Sequence, residues 1–135
     1  MDLVFPYQKE KSDFLGIIYR PMASVSFRSK NNKWLPVRMI VDSGADYTLL
    51  PRYVAKRLQV DLEKDCQHIT THGVGGESYV YFLPKIRARL GKWERNIPLG
   101  FLDGDDVPPL LGRHLFMETF ETLFSSDHTV SFSTK

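Results

Sequence analysis

The chain has 135 residues, one domain's worth of protein, and its 42% hydrophobic and 25% charged residues exclude a disordered or collagen-like polypeptide. A chain of this size buries about two thirds of its unfolded surface, so it can hold a core without disulfide or metal staples. Eighteen Lys and Arg against sixteen Asp and Glu leave a formal net charge of +2, too balanced to argue for a nucleic-acid or membrane partner.

Residues 1–19 read as a lead-in or arm, with the polar run Gln8-Lys9-Glu10-Lys11-Ser12-Asp13 and a short apolar stretch, Val4-Phe5-Pro6-Tyr7, able to dock on the domain or a partner. The first ten residues lack the uninterrupted apolar stretch of a signal peptide, and no window approaches a membrane span. With Cys66 the single cysteine, no disulfide can form within the chain, and the expectation is a soluble, cytoplasmic protein. Residues 20–135 form one domain in this reading, with no repeat or linker to divide them.

From Ala23 the pattern becomes that of a half-buried strand, Val25 and Phe27 alternating with Ser24, Ser26 and Arg28. Asn31-Asn32-Lys33 is turn chemistry. A second strand follows over 34–41, and its continuously apolar end, Met39-Ile40-Val41, predicts burial on both faces. A short helix is predicted over 51–58, because Pro51 suits a first turn and Val54 and Leu58 share a face. Residues 66–83 read as extended, broken at Gly73-Val74-Gly75-Gly76. Residues 86–90 alternate cleanly, Gly91-Lys92 is a two-residue turn, and 93–101 returns as the partner strand. A second helix is predicted over 112–120, with Leu115 facing Thr119 and Phe116 facing Phe120. A hairpin around residues 125–128 closes the chain. The sum is a mainly β domain with two short helices, a small closed barrel or a sandwich.

The chemistry concentrates at Asp42-Ser43-Gly44-Ala45, a carboxylate at the end of an apolar strand followed by a hydroxyl, a glycine and a small residue. A strand end fixes a side chain while the adjoining loop leaves it accessible. Taken alone, the same tetrapeptide also suits an Asx turn or a helix cap. Two further features bear on the choice: the glycine-rich 73–76 segment and Leu110-Leu111-Gly112-Arg113. Together the three resemble the retropepsin-like aspartic proteases, in the order catalytic Asp-Thr/Ser-Gly, glycine-containing flap and apolar-apolar-Gly segment leading to a helix. Asp46 matches the second acid of the Asp-Thr-Gly-Ala-Asp form, and Arg113 the arginine after the glycine. The resemblance covers about residues 20–132, and the segments before Ala23 and near 120–132 look more like cellular and bacterial members than viral ones.

The resemblance implies a small closed β-barrel of the acid-protease type and an aspartic endopeptidase. Its catalytic group would be Asp42, one from each protomer. Ser43 and Arg113 would support the loop, Arg113 by pairing with Asp46. Gly44, Ala45, Asp46, Val74, Gly75 and Gly76 would line the peptide site. Peptide hydrolysis by carboxylates takes two of them, one as general base for water and one as general acid for the carbonyl oxygen. Asp103-Gly104 lies in a polar loop without the apolar strand, so it cannot supply the second. A homodimer acting on peptide or protein, with no cofactor, no metal, no nucleic acid and no membrane, is the expectation. The rival is a non-catalytic peptide-binding or dimerisation module of the same fold.

Weaker signals point to less. Cys66, His68 and His72 match zinc-ligand spacing only loosely. Residues 73–78 form neither a dinucleotide fingerprint nor a phosphate loop. Asp103, Asp105 and Asp106 lack the downstream glutamate of a calcium loop. Ser43 lacks the Gly-x-Ser-x-Gly of a nucleophile elbow, since Val41 stands at the first glycine. Arg87, Arg89, Lys92 and Arg95 make one basic hairpin, read as a solvated face.

Overall fold

Strand-forming alternation dominates the computed structural model, which describes residues 2–73 and 76–134. In chain order the elements are β1 (Asp2–Pro6), β2 (Gln8–Ser12), β3 (Gly16–Arg20), β4 (Met22–Arg28), β5 (Trp34–Val41), β6 (Thr48–Leu50), helix α1 (Arg52–Arg57), helix α2 (Leu62–Asp65), β7 (Gln67–Gly73), β8 (Gly76–Leu90), β9 (Trp93–Leu102), β10 (Leu110–Leu111), β11 (Glu121–Ser125) and β12 (Thr129–Ser133).

The main sheet runs β4-β5-β10-β6-β9-β8-β7. It closes on itself because β4 also pairs with β8, at Ser26 with Arg89 and Phe27 with Ala88. The barrel interior is filled by alternate residues: Val25 and Phe27 from β4, Met39 and Val41 from β5, Leu99 and Phe101 from β9, and Leu111 from β10. Ile40 departs from the expected two-sided burial: it is half-buried and lines a surface groove.

Strand β8 runs through the region expected to hold two strands. It absorbs Pro84 at a register shift between Leu83 and Ile86, where the ladder to β9 is interrupted. Beyond it, Leu90 pairs with Trp93 across the Gly91-Lys92 turn, with Gly91 at φ +58°. Helix α1 sits where expected. The helix predicted over 112–120 does not form: Leu115 takes φ +57°, which breaks the helical path, and a single 3-10 turn at Met117–Thr119 remains. The second α-helix is instead α2, whose cap Asp61 accepts hydrogen bonds from the backbone N–H of Glu63 and Lys64.

A second sheet, β1-β12-β11, holds both ends of the described chain. The closing hairpin is as predicted, with His128 at φ +62° at its turn. Phe132 of β12 is fully buried and meets Phe5 and Phe120 edge-on, which locks β1 and β12 onto the barrel. Strands β2 and β3 form a separate hairpin. Among the described residues no helix is long and apolar enough to cross a membrane.

Phe132→Ala should lower the unfolding free energy by about 3–5 kcal/mol, the usual cost of emptying a buried aromatic site, and urea denaturation would measure it.

Candidate active site

The apolar strand β5 delivers Asp42 to the barrel's edge. Its backbone N–H donates to Leu111 O at 3.0 Å, and its O accepts from Ala45 N–H at 3.2 Å. Its side-chain Oδ1 accepts from Gly44 N–H at 2.9 Å, so the carboxylate does form the Asx turn that the tetrapeptide allowed. Asp42 is half-buried, and Ser43 and Gly44 are exposed beside it.

A distant segment fixes this loop. Strand β10 inserts between β5 and β6, parallel to the first and antiparallel to the second. Beyond it the chain zips onto the loop: Gly112 N–H donates to Thr48 Oγ1 (3.2 Å), Arg113 N–H to Ala45 O (3.1 Å) and His114 N–H to Asp46 O (2.8 Å). Gly112 is required by the closeness of this approach. A Cβ there would stand 2.3 Å from both the carbonyl carbon and the oxygen of Tyr47. Thr48 is buried, and its hydroxyl satisfies an otherwise orphaned backbone donor.

The Arg113 guanidinium meets Asp46 Oδ1 at 2.6 Å and reaches back to Ala45 O at 3.4 Å. The pair is open to solvent, with the side chains 50% and 84% exposed, so within one protomer it contributes little beside the backbone bonds. Tyr47 packs beneath, its ring edge-on to Phe82 of β8, its hydroxyl buried without a partner. Burial, reinforced by the neighbouring Asp46 charge, pushes the Tyr47 phenol above its ordinary pKa.

Asp42 also lines a groove of about 460 Å³ together with Ile18, Tyr19, Arg20, Ile40 and Leu110. The structure thus gathers Asp42, Ser43, Gly44, Ala45, Asp46 and Arg113 on two interlocked segments. Gly76 stands apart, at φ +102° near the tip of the β7–β8 hairpin, where Gly73 pairs with Gly76. Val74 and Gly75 lie outside the described residues. The arms of that hairpin are tied to the barrel by Tyr81, whose hydroxyl donates to Asp103 Oδ1 at 3.2 Å beneath the Arg52 guanidinium. Tyr47 and Thr48 were not anticipated as site residues. The only cue was their position after Asp46, at the start of β6.

The weaker signals have structural partners. Cys66 is half-buried, and burial, with Asp65 and Asp61 nearby, pushes its thiol up to about 11, far from the low values of reactive cysteines. His68 lies 3.3 Å from Glu63 and edge-on to Tyr81. Asp103 pairs with Arg52, and Asp105 accepts from Tyr53 N–H. Arg87 pairs with Glu94, and Arg89 covers the Trp34 ring. Among the described residues, no three His, Cys, Asp or Glu side chains converge as a metal site.

Comparison with solved structures identifies the fold as retropepsin-like. A retropepsin-like aspartic protease from Rickettsia conorii matches with a TM-score of 0.66 at 19% identity, covering 98% of this chain and 90% of that one. The EIAV protease, complexed with the inhibitor HBY-793, matches with a TM-score of 0.55 at 20% identity, covering 73% of this chain and 86% of that one. A family model described as aspartyl protease matches residues 25–115, so the chain belongs to the aspartyl protease family. No curated protein sequence matches it.

Substituting the two neighbours Gly112 and Arg113 separates backbone from side chain. Gly112→Ala should cost about 1–3 kcal/mol or more, since the added methyl meets backbone. Arg113→Ala should cost under about 1 kcal/mol. Equal losses in chemical denaturation would refute this division.

Proposed function

We propose that the chain is an aspartic endopeptidase whose two catalytic carboxylates are the Asp42 side chains of two protomers. The observation that carries this reading is the position of Asp42: an acid at the end of a buried strand, opening into a groove, on a loop pinned by a distant glycine segment. Each chain has a single loop of this kind, so the second carboxylate comes from a second copy, and a two-fold contact makes the two loops equivalent.

Carboxylates about 3 Å apart cannot both ionise, the familiar behaviour of aspartic-protease dyads, so the pair shares one proton. The ionised member takes a proton from water as the oxygen attacks the peptide carbonyl, and the protonated member gives its proton to the carbonyl oxygen. As the tetrahedral intermediate collapses, the C–N bond breaks, the amine leaves with the proton the base had taken from water, and a hydroxyl of the intermediate returns its proton to the other carboxylate. With Oδ1 of Asp42 held by Gly44 N–H, Oδ2 is left to face the water.

Ser43 donates a hydrogen bond near the dyad. Gly44, Ala45 and Asp46 line the peptide, and Arg113 braces Asp46. The β7–β8 hairpin is the flap, with Val74, Gly75 and Gly76 closing over substrate and excluding water. The competing reading, a non-catalytic peptide-binding module, draws on the Asx turn, which gives Asp42 a role without chemistry.

Asp42→Asn discriminates, because an asparagine oxygen can still accept from Gly44 N–H and preserve the turn. Digestion of a mixed peptide library at about pH 4–7 should be pepstatin-sensitive and fall by a thousandfold or so in the variant, within the range general acid–base groups contribute. Undiminished cleavage by the variant would overturn the assignment. Saturable peptide binding without products by the wild type would select the binding module.

A further inference from the structure

The β2–β3 hairpin is a poor fit to an isolated protomer. A two-stranded hairpin is marginally stable alone in water, yet this one carries its apolar side chains outward. Ser12 Oγ accepts from Phe14 N–H (3.3 Å) and Leu15 N–H (3.1 Å), which orders the tip and projects both side chains. Phe14 is 95% exposed and Leu15 71%. Ile17 and Tyr19 are also exposed, on the face they share with Lys9 and Lys11. The opposite face is satisfied: Arg20 pairs with Glu10 at 2.6 Å, and Gln8 Oε1 accepts from Arg38.

The root of the hairpin lies at the acid groove. Ile18, Tyr19 and Arg20 line that groove together with Asp42. Tyr19 stacks on His128 with ring centroids 3.9 Å apart, which ties the root to the β11–β12 turn. From there five paired residues carry the tip about 17 Å outward, at the usual rise of a strand.

We propose that this hairpin is a clasping arm that docks on a second copy of the chain. The inference rests on the two-chain reading of Asp42 and names the element that holds the chains together. If the partner's Asp42 loop must stand beside this one, the partner's body lies within reach of an arm rooted at the same groove. A two-fold axis through the paired loops then gives each protomer one arm and one receiving surface, so Phe14 and Leu15 are buried twice over. Such an apolar anchor at the end of an ordered turn suits an interface hot spot.

The test compares wild type with Phe14→Ser/Leu15→Ser in sedimentation-velocity dilution series, with peptidase activity followed over the same concentrations. Both positions are solvent-facing, so melting temperature and circular dichroism should match wild type. The dimer dissociation constant should rise at least tenfold. Specific activity should fall on dilution and recover at high protein concentration with kcat unchanged. A photo-crosslinking benzoylphenylalanine at position 14 should yield a covalent species of twice the chain mass, which holds the proposal to account even if the double variant misfolds. Unchanged dimerisation with no crosslink would overturn the arm and leave the dyad standing. A wild type that cleaves peptides as a strict monomer would remove the two-chain reading, and the arm with it. Binding to phosphatidylserine vesicles that the double variant loses, at an unchanged dimer constant, would overturn the arm in favour of a lipid surface.

Discussion

The site depends on one backbone-to-backbone approach. The loop bearing Asp42 has no regular structure of its own between the end of β5 and the start of β6. It is held because residues 111–114 run against it and exchange hydrogen bonds at Asp42, Ala45, Asp46 and Thr48. These bonds join positions as much as 69 residues apart in sequence, at Asp42 and Leu111. Such an approach is possible only where no side chain intervenes, which is why the absence of a Cβ at Gly112 outweighs the more conspicuous ion pair next to it. The charges of Asp46 and Arg113 stand in water, where attraction is screened and side-chain entropy opposes it.

Much of this was legible in the residues. Strands β4 and β5 follow directly from alternation, and α1 from Pro51 with the Val54 and Leu58 spacing. The acid loop and the Leu110-Leu111-Gly112-Arg113 segment are readable as a pair, because close backbone contact and an Asx turn both restrict residue choice. Other features were not legible for physical reasons. Leu115 adopts a left-handed backbone that its side chain does not favour, so no local signal could stop the helix expected there. Helix α2 buries no residue and is sustained by the Asp61 cap, so it has no apolar periodicity to read. Thr48 acts through a hydroxyl aimed at a distant backbone N–H, a relation that exists only once β10 has been inserted.

The two readings of Asp42, turn residue and catalytic acid, are compatible in the structure. A carboxylate has two oxygens, and committing one to Gly44 N–H fixes the direction of the other. Orientation of this kind costs nothing at the moment of reaction, because folding has already supplied it. The proposed mechanism takes its second acid from a second copy of the chain, so in that reading association rather than folding completes the chemistry.

Strand β8 joins two parts that are usually considered separately. One end forms the hairpin with β7, and the other supplies Ala88 and Arg89, the residues through which β4 seals the barrel. The interruption at Leu83 and Ile86 divides these halves. On both sides of it β8 stays paired with β9, over Val80–Leu83 and again over Ile86–Leu90, so the wall runs on across the break. Only before Val80, where β8 pairs with β7 alone, does the hairpin leave the barrel, so a single uninterrupted length of chain serves as both wall and projecting arm.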